Sequence, residues 1–265
     1  MHELPGLELP KLQLLNLDCN AGLPSMHSSY LHERMEEVKV QETPDSFYQG
    51  MKELRVLALS DVYGSLPTSL RNLTNLRTLS LFCCRLIDDD VSVIAALENL
   101  EILSFADSCI KELPKEIIGC LAHLKVLDLL NCKVERIYPG VLSSLSMLQE
   151  LYIGSSFKRL AGDGKEESME RTNAIIAELA SLSNLVALDI DLFNIKSFPR
   201  DWVIEKVKKF NITVHPSSTT TAWPYYPLPN ELNLSSLDVT DLMDSTLEML
   251  LKSTKILALE SQLRV

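Results

Sequence analysis

Cys120 and His123 stand three apart in the run from Gly119 to Leu124, and a thiol beside an imidazole is the minimum of a nucleophilic pair. Such a pair also needs a third group to orient the imidazole and a pocket to hold a substrate, and the run supplies neither. It is predicted to lie on a surface turn. Gly162, Gly164 and Lys165 suggest a phosphate cradle, but Arg159 stands where its first glycine belongs and Glu166 follows the lysine. The stretch also lacks the required strand-to-helix context, so it reads as a solvated insertion that binds no phosphate. Asp88, Asp89 and Asp90 are adjacent, whereas a calcium loop needs alternating ligands and a terminal Glu. They read as the negative start of a helical stretch from Val91 to Leu97, favoured by the helix dipole. His2, His27, His32, His123 and His215 have no metal-ligand spacing and no HExxH arrangement. Cys19, Cys83, Cys84, Cys109, Cys120 and Cys132 form no Cys-x-x-Cys pair and read as reduced thiols, mostly buried. No catalytic, cofactor-binding or metal site is expected, and the chain is read as no enzyme, with no cofactor and no small-molecule substrate.

The elements that carry these residues have a marked composition. Of the 265 residues, 46% are hydrophobic but only 6% aromatic, so the core must be aliphatic. The formal net charge is -11, which argues against nucleic acid or an anionic membrane as the main partner. The N-terminus, MHELPGLELPKLQLLNL, lacks the basic region and continuous apolar stretch of a secretory signal. No run of about 18 apolar residues occurs, so no membrane span is expected. A cytoplasmic location follows as the expectation. The Asn-x-Ser/Thr sequons at Asn72, Asn211 and Asn233 are then read as accidental, since glycosylation needs the secretory pathway.

One pattern recurs: Leu-x-x-Leu-x-Leu, often with Cys or Ser three residues later. It runs through Leu12, Leu15, Leu17; Leu54, Leu57, Leu59; and Leu76, Leu79, Leu81 with Cys84 and Leu86. It continues with Leu100, Leu103, Phe105, Ser108, Ile110; Leu124, Leu127, Leu129, Cys132, Val134; Leu148, Leu151, Ile153, Ser156; and Leu185, Leu188, Ile190, Phe193, Ile195. The starts from Leu54 to Leu148 are spaced 22, 24, 24 and 24 residues, inside the window of leucine-rich repeats. The x-Leu-x-Leu stretch is a strand with alternate side chains pointing inward. Cys or Ser then suits an inner bend that needs a small side chain able to hydrogen-bond. The return leg often passes a step such as Leu66-Pro67, Leu113-Pro114 or Phe198-Pro199, where proline holds the preceding residue extended. The predicted fold is α/β: a leucine-rich-repeat solenoid, a curved horseshoe with a parallel concave sheet and a helical or irregular convex side. One such domain is expected over 1–265.

Several stretches depart from the repeat. Residues 18–50 are atypical, with a degenerate strand at Val38 and Val40. The charged insertion 155–172 lengthens the spacing from Leu148 to Leu185 to 37 residues, and Asn173 is read as the cap of a helix through Leu179. Residues 216–229 read as a Pro/Thr-rich loop. Beyond it the repeats weaken to a strand at Leu232 and Leu234, a helix from Ser245 to Leu251 and a last strand at Leu257 and Leu259. The chain stops without a polar cap, which implies a truncated or partial chain.

The stretch from Pro44 to about Leu160 resembles the repeat region of plant intracellular, coiled-coil-type nucleotide-binding leucine-rich-repeat disease resistance proteins. The residues that carry it are PDSFYQGMKELRVLALS, LPTSLRNLTNLRTLSLFCCRL, LENLEILSFADSCIKELPKEI and LKVLDLLNCKVERIYPGVLSSLSMLQELYIGSSF. The resemblance implies an effector-sensing and autoinhibitory role in innate immunity. Its implied partners are a pathogen effector, a guarded host protein or the receptor's own nucleotide-binding domain. That family's nucleotide switch lies upstream of the repeats, and no Gly-x-x-x-x-Gly-Lys-Ser/Thr occurs here, so the chain is not expected to bind ATP. The alternative is a generic intracellular leucine-rich-repeat adaptor unrelated to immunity.

The strand residues between the core leucines should form columns on the concave face. These read Thr78, Ile102, Val126, Glu150; Ser80, Ser104, Asp128, Tyr152; and Phe82, Ala106, Leu130, Gly154. Solvent-facing positions should be polar, so Phe82, Ile102, Val126 and Leu130, edged by Asp128 and Tyr152, form the candidate protein-binding patch.

Overall fold

The computed structural model describes residues 13–17, 46–86, 91–154, 156, 166–192, 195, 198, 206–214, 230–235 and 245–260. The Leu-x-Leu segments form strands: β1 (Leu14–Leu17), β2 (Val56–Ser60), β3 (Thr78–Phe82), β4 (Ile102–Ser104), β6 (Val126–Asp128), β8 (Glu150–Gly154) and β9 (Ala187–Leu192). Together with β10 (Lys209–Val214), β11 (Glu231–Ser235) and β12 (Ile256–Glu260) they make one ten-stranded parallel sheet among the described residues. Apart from an offset of a single residue at Gly154, β2 to β9 pair in register. Leu57, Leu79, Leu103, Leu127, Leu151 and Leu188 thus form one column, and all six are fully buried. β1 pairs Leu15 with Leu57 and Leu17 with Leu59, which places the first Leu-x-Leu in the same frame.

Opposite the sheet, short helical turns close the core. Three-ten turns at Thr68–Asn72, Ser92–Ala96, Leu142–Ser144 and Glu178–Ser181, with helix α1 (Lys115–Ile118), bury aliphatic side chains: Leu70, Val93, Ile94, Ile118, Leu142 and Leu179. Pro67 and Pro114 stand extended just ahead of two of these turns, at ψ 137° and 143°. Strands stack at about 4.8 Å, closer than helical turns can pack, so the array bends with its sheet on the concave side. Each repeat completes its core only against its neighbours.

A second parallel pair, β5 (Cys109–Leu113) and β7 (Lys133–Ile137), follows the inner bend of two successive repeats. The Leu-x-Leu spacing gives no sign of it.

Other elements depart from the sequence reading for physical reasons. Helix α2 spans Glu166–Ala177, so Asn173 lies inside it and caps nothing. Its buried residues Thr172, Ile175 and Ile176, followed by Leu179, keep i, i+3, i+4, i+7 spacing, and that face begins before Asn173. The strand β10 was not anticipated. It buries Phe210, Ile212 and Val214, none of them leucine, and slots between β9 and β11. The expected terminal strands appear as β11 and β12, with helix α3 (Ser245–Ser253) between them. Val38, Val40, Asp88, Asp89, Asp90, Gly162, Gly164, Lys165 and the loop 216–229 lie outside the described residues.

Candidate protein-binding face

The inner bend explains why Cys or Ser recurs. The Ser108 hydroxyl donates to the Leu81 carbonyl at 2.7 Å and accepts from the Cys84 amide at 2.8 Å, tying three chain segments together. Ser156 donates to the carbonyls of Leu129 and Cys132, and the Cys84 thiol approaches the Leu59 carbonyl. These small side chains satisfy backbone groups that the turn buries. The residues just before this ladder, Asp61, Cys83, Asp107 and Asn131, all take the left-handed conformation, with φ between 52° and 57°. Asp and Asn tolerate it because their short polar side chains bond locally, a signal the sequence reading passed over. Burial, and then the carboxylates of Asp107 and Asp61, push the Cys83 thiol up to about 12, so it is no nucleophile.

A second ladder runs along the other edge. The Asn75, Asn99 and Asn184 amides donate to the carbonyls of Lys52, Thr74 and Ser146 in the preceding repeat. His123 occupies the same place, its Nδ1 lying 3.1 Å from the Glu98 carbonyl. Cys120 is exposed and its thiol donates to the Glu116 carbonyl. The two residues are therefore parts of the scaffold, each engaged with backbone.

Two of the three concave columns form in the predicted frame: Ile102 stands beside Thr78 and Val126, and Asp128 beside Ser104 and Tyr152. The structure splits the candidate patch in two. Phe82 and Ile102 are open to solvent, 46% and 38% exposed. Leu130 and Tyr152 are almost wholly covered, packing with Ala187 into a small apolar cluster against the half-buried Val126. Leu130, expected to face a partner, instead fills the space over Gly154. A Cβ at Gly154 would come 2.8 Å from the Leu130 Cδ2 atom. Gly154 also holds φ 45°, which costs a glycine little.

Carboxylates surround that cluster. Asp128 accepts hydrogen bonds from the Ser104 hydroxyl and the Leu130 amide, and Glu150 accepts one from the Tyr152 hydroxyl at 2.6 Å. Burial, with the bond to Glu150, holds the Tyr152 phenol above its ordinary range. Asp189 is 2% exposed and accepts from the Asn211 amide at 2.9 Å. Burial pushes its carboxyl up to about 7; the Asn211 bond opposes this and Asp191, Asp128 and Glu231 reinforce it. Asn233 continues the side-chain chain toward Asn211. The sequence pattern singled out Asp128, Tyr152 and, as a sequon, Asn211, but not Asp189. Asp at two of the three outward positions of ALDIDL was the available signal, and the Asn211 partner of Asp189 sits on the unanticipated β10.

Among the described residues no three His, Cys, Asp or Glu side chains converge as a metal site, and no helix is long and apolar enough to cross a membrane. The family model for the leucine-rich repeat region matches residues 39–262. The TMV resistance protein N of Nicotiana glutinosa is 26% identical over 209 residues, 75% of this chain but 17% of its own length. Internalin C2 of Listeria monocytogenes superposes with a TM-score of 0.49 at 20% identity, covering 83% of this chain and 76% of its own. A leucine-rich-repeat protein of Leptospira interrogans gives 0.47 at 21% identity, over 82% of this chain and 57% of its own.

Proposed function

Because this chain belongs to the family of leucine-rich repeat regions, we propose that it is a protein-protein interaction module whose concave sheet face receives the partner. The fold is typically a scaffold for binding, with function carried by its open face. The observation that carries the reading is the exposure of Phe82 and Ile102 at sheet positions paired with the polar Ser60 and Thr78. Aromatic and aliphatic anchors within a polar surround are the composition of interface centres.

In the finer reading, the chain is the effector-sensing and autoinhibitory repeat region of a cytoplasmic plant resistance receptor of the coiled-coil type. Its partner is then a pathogen effector, a guarded host protein or the receptor's own nucleotide-binding domain. The run from Pro44 to Leu160 supports this, as does the similarity to a resistance protein over most of the chain. The chain spans about 17% of that relative, so the receptor's activity as a whole belongs to this proposal. The test joins Phe82→Ser and Ile102→Ser in the full-length receptor. Recognition should be lost or signalling should become constitutive, with accumulation unchanged. A double variant that recognises and signals like the parent overturns the reading.

A further inference from the structure

We propose that the concave face takes a cationic segment of a partner protein, with apolar side chains of that segment on Phe82 and Ile102 and its Arg or Lys groups over the carboxylates of β8 to β11. This rests on the concave face being the docking surface.

The argument is charge complementarity along one continuous sheet. The outward positions of β2, β3 and β4 carry no charged residue: they are Val56, Ala58, Ser60, Thr78, Ser80, Phe82, Ile102 and Ser104. From β6 to β11 the same positions carry the carboxylates of Asp128, Glu150, Asp189, Asp191 and Glu231 against one ammonium, Lys209. A hydroxyl, an amide N–H, a phenol and a carboxamide are among the donors to Asp128, Glu150 and Asp189. Along these outward positions acidic side chains outnumber basic ones, so the face repels anions and attracts cations.

Burial strengthens the preference. Asp189 is held near its neutral form by burial and by its acidic neighbours. A cation set over it relieves both, since an opposite charge favours the ionised carboxyl. The planar guanidinium suits this floor, because it pairs with two oxygens at once and is the more weakly hydrated of the two cations.

The spacing sets the partner's shape. Two strand steps separate β4 from β8 and five separate it from β11. At about 4.8 Å per step, the apolar anchor on β4 lies roughly 10–24 Å from the acidic positions. An extended segment covers that distance in about three to seven residues.

The probe is a displayed library of random peptides of about 12 residues, selected on the whole chain at low salt. The leading peptide is then measured by fluorescence anisotropy. Selected sequences should be enriched in Arg and Lys a few residues from an aromatic or aliphatic side chain. Affinity should fall roughly tenfold when Asp191→Asn and Glu231→Gln are combined, and as much for Phe82→Ser with Ile102→Ser. On the unaltered chain, raising ionic strength from about 0.05 to about 0.5 M should weaken binding strongly, because exposed charges are then screened. That measurement holds even if the neutralised variant fails to fold. Binding lost with Phe82 and Ile102 but indifferent to salt overturns the cationic partner and leaves the docking face standing. Basic peptides insensitive to both pairs of substitutions overturn both. Selection of acidic or uncharged peptides, or of none, overturns the present proposal.

Discussion

The outward face of β2 to β4 and that of β8 to β11 share one ladder of backbone hydrogen bonds, yet their chemistry differs. On the first, neighbours are small or hydroxylated, and Phe82 and Ile102 project from them into solvent. On the second, large and charged side chains turn on one another: Tyr152 lies against the sheet, Leu130 crosses Gly154, and Asp189 is sealed beneath. A stacked parallel sheet fixes where Cβ atoms stand but not how far a side chain reaches. Whether an outward residue stays open depends on the size of its neighbour one strand away. Ile102, set between Thr78 and the half-buried Val126, stays open, while Tyr152 and Ala187 close over Leu130.

The largest effect should fall on what the two regions have in common, the inward column. Leu127 is fully buried, with Leu103 and Leu151 beside it. Leu127→Ala should cost about 2–5 kcal/mol, and Leu188→Ala, at the same place in β9, should cost a similar amount. Chemical denaturation reads both. If only one substitution lowers the midpoint, the two regions do not share a core.

Asp189 should set the acidic region apart by its pH dependence. Its folded carboxyl titrates at about 7, whereas an unfolded Asp titrates near 3.9. Between those values the folded chain holds a proton that the unfolded chain has released. Stability from this group is therefore full below about pH 4 and is lost as pH rises through about 7. Asp189→Asn keeps an oxygen to accept from Asn211 and removes the titration. The variant should gain stability over the parent above neutrality, by at most about 4 kcal/mol, and the gain should vanish near pH 4. A gain that is the same at both pH values would mean that Asp189 does not titrate in this window.

The same contrast marks how far the sequence could be read. The repeat frame was legible because Leu57, Leu79, Leu103, Leu127 and Leu151 recur at fixed spacing, and pairing follows directly from that frame. β10 was not, because Phe210, Ile212 and Val214 fill leucine positions with equal burial and a different letter. In the candidate patch, Phe82 and Ile102 were found by their apolar type at outward positions. Leu130 met the same criterion and is covered, since a one-dimensional pattern does not show that Gly154 leaves room for it. Asp189 was missed because its meaning depends on Asn211, which lies 22 residues away on another strand.

Gly154 offers a smaller and more local handle on the covered region. Gly154→Ala forces a Cβ against Leu130 in a backbone conformation that alanine disfavours. It should cost roughly 1–3 kcal/mol and lift Leu130 off Tyr152. Tyr152 fluorescence should then become more accessible to a soluble quencher. Lost stability with unchanged quenching would mean that the cluster shifts as one body rather than opening.

The smallest effect on stability should come from the open region. Phe82 and Ile102 have large exposed surfaces and lie beside short side chains, so replacing both by Ser removes little packing. The unfolding free energy should change by no more than about 0.5 kcal/mol for each substitution. Leu130→Ala, drawn from the same predicted patch, removes a side chain packed against Tyr152 and Ala187 and should cost about 2 kcal/mol or more. The pair of measurements separates a surface kept for a partner from a surface already used by the fold. If Phe82→Ser with Ile102→Ser destabilises the chain as much as Leu130→Ala does, those two side chains belong to the fold's own packing, and the open half of the concave face loses its claim to be a docking surface.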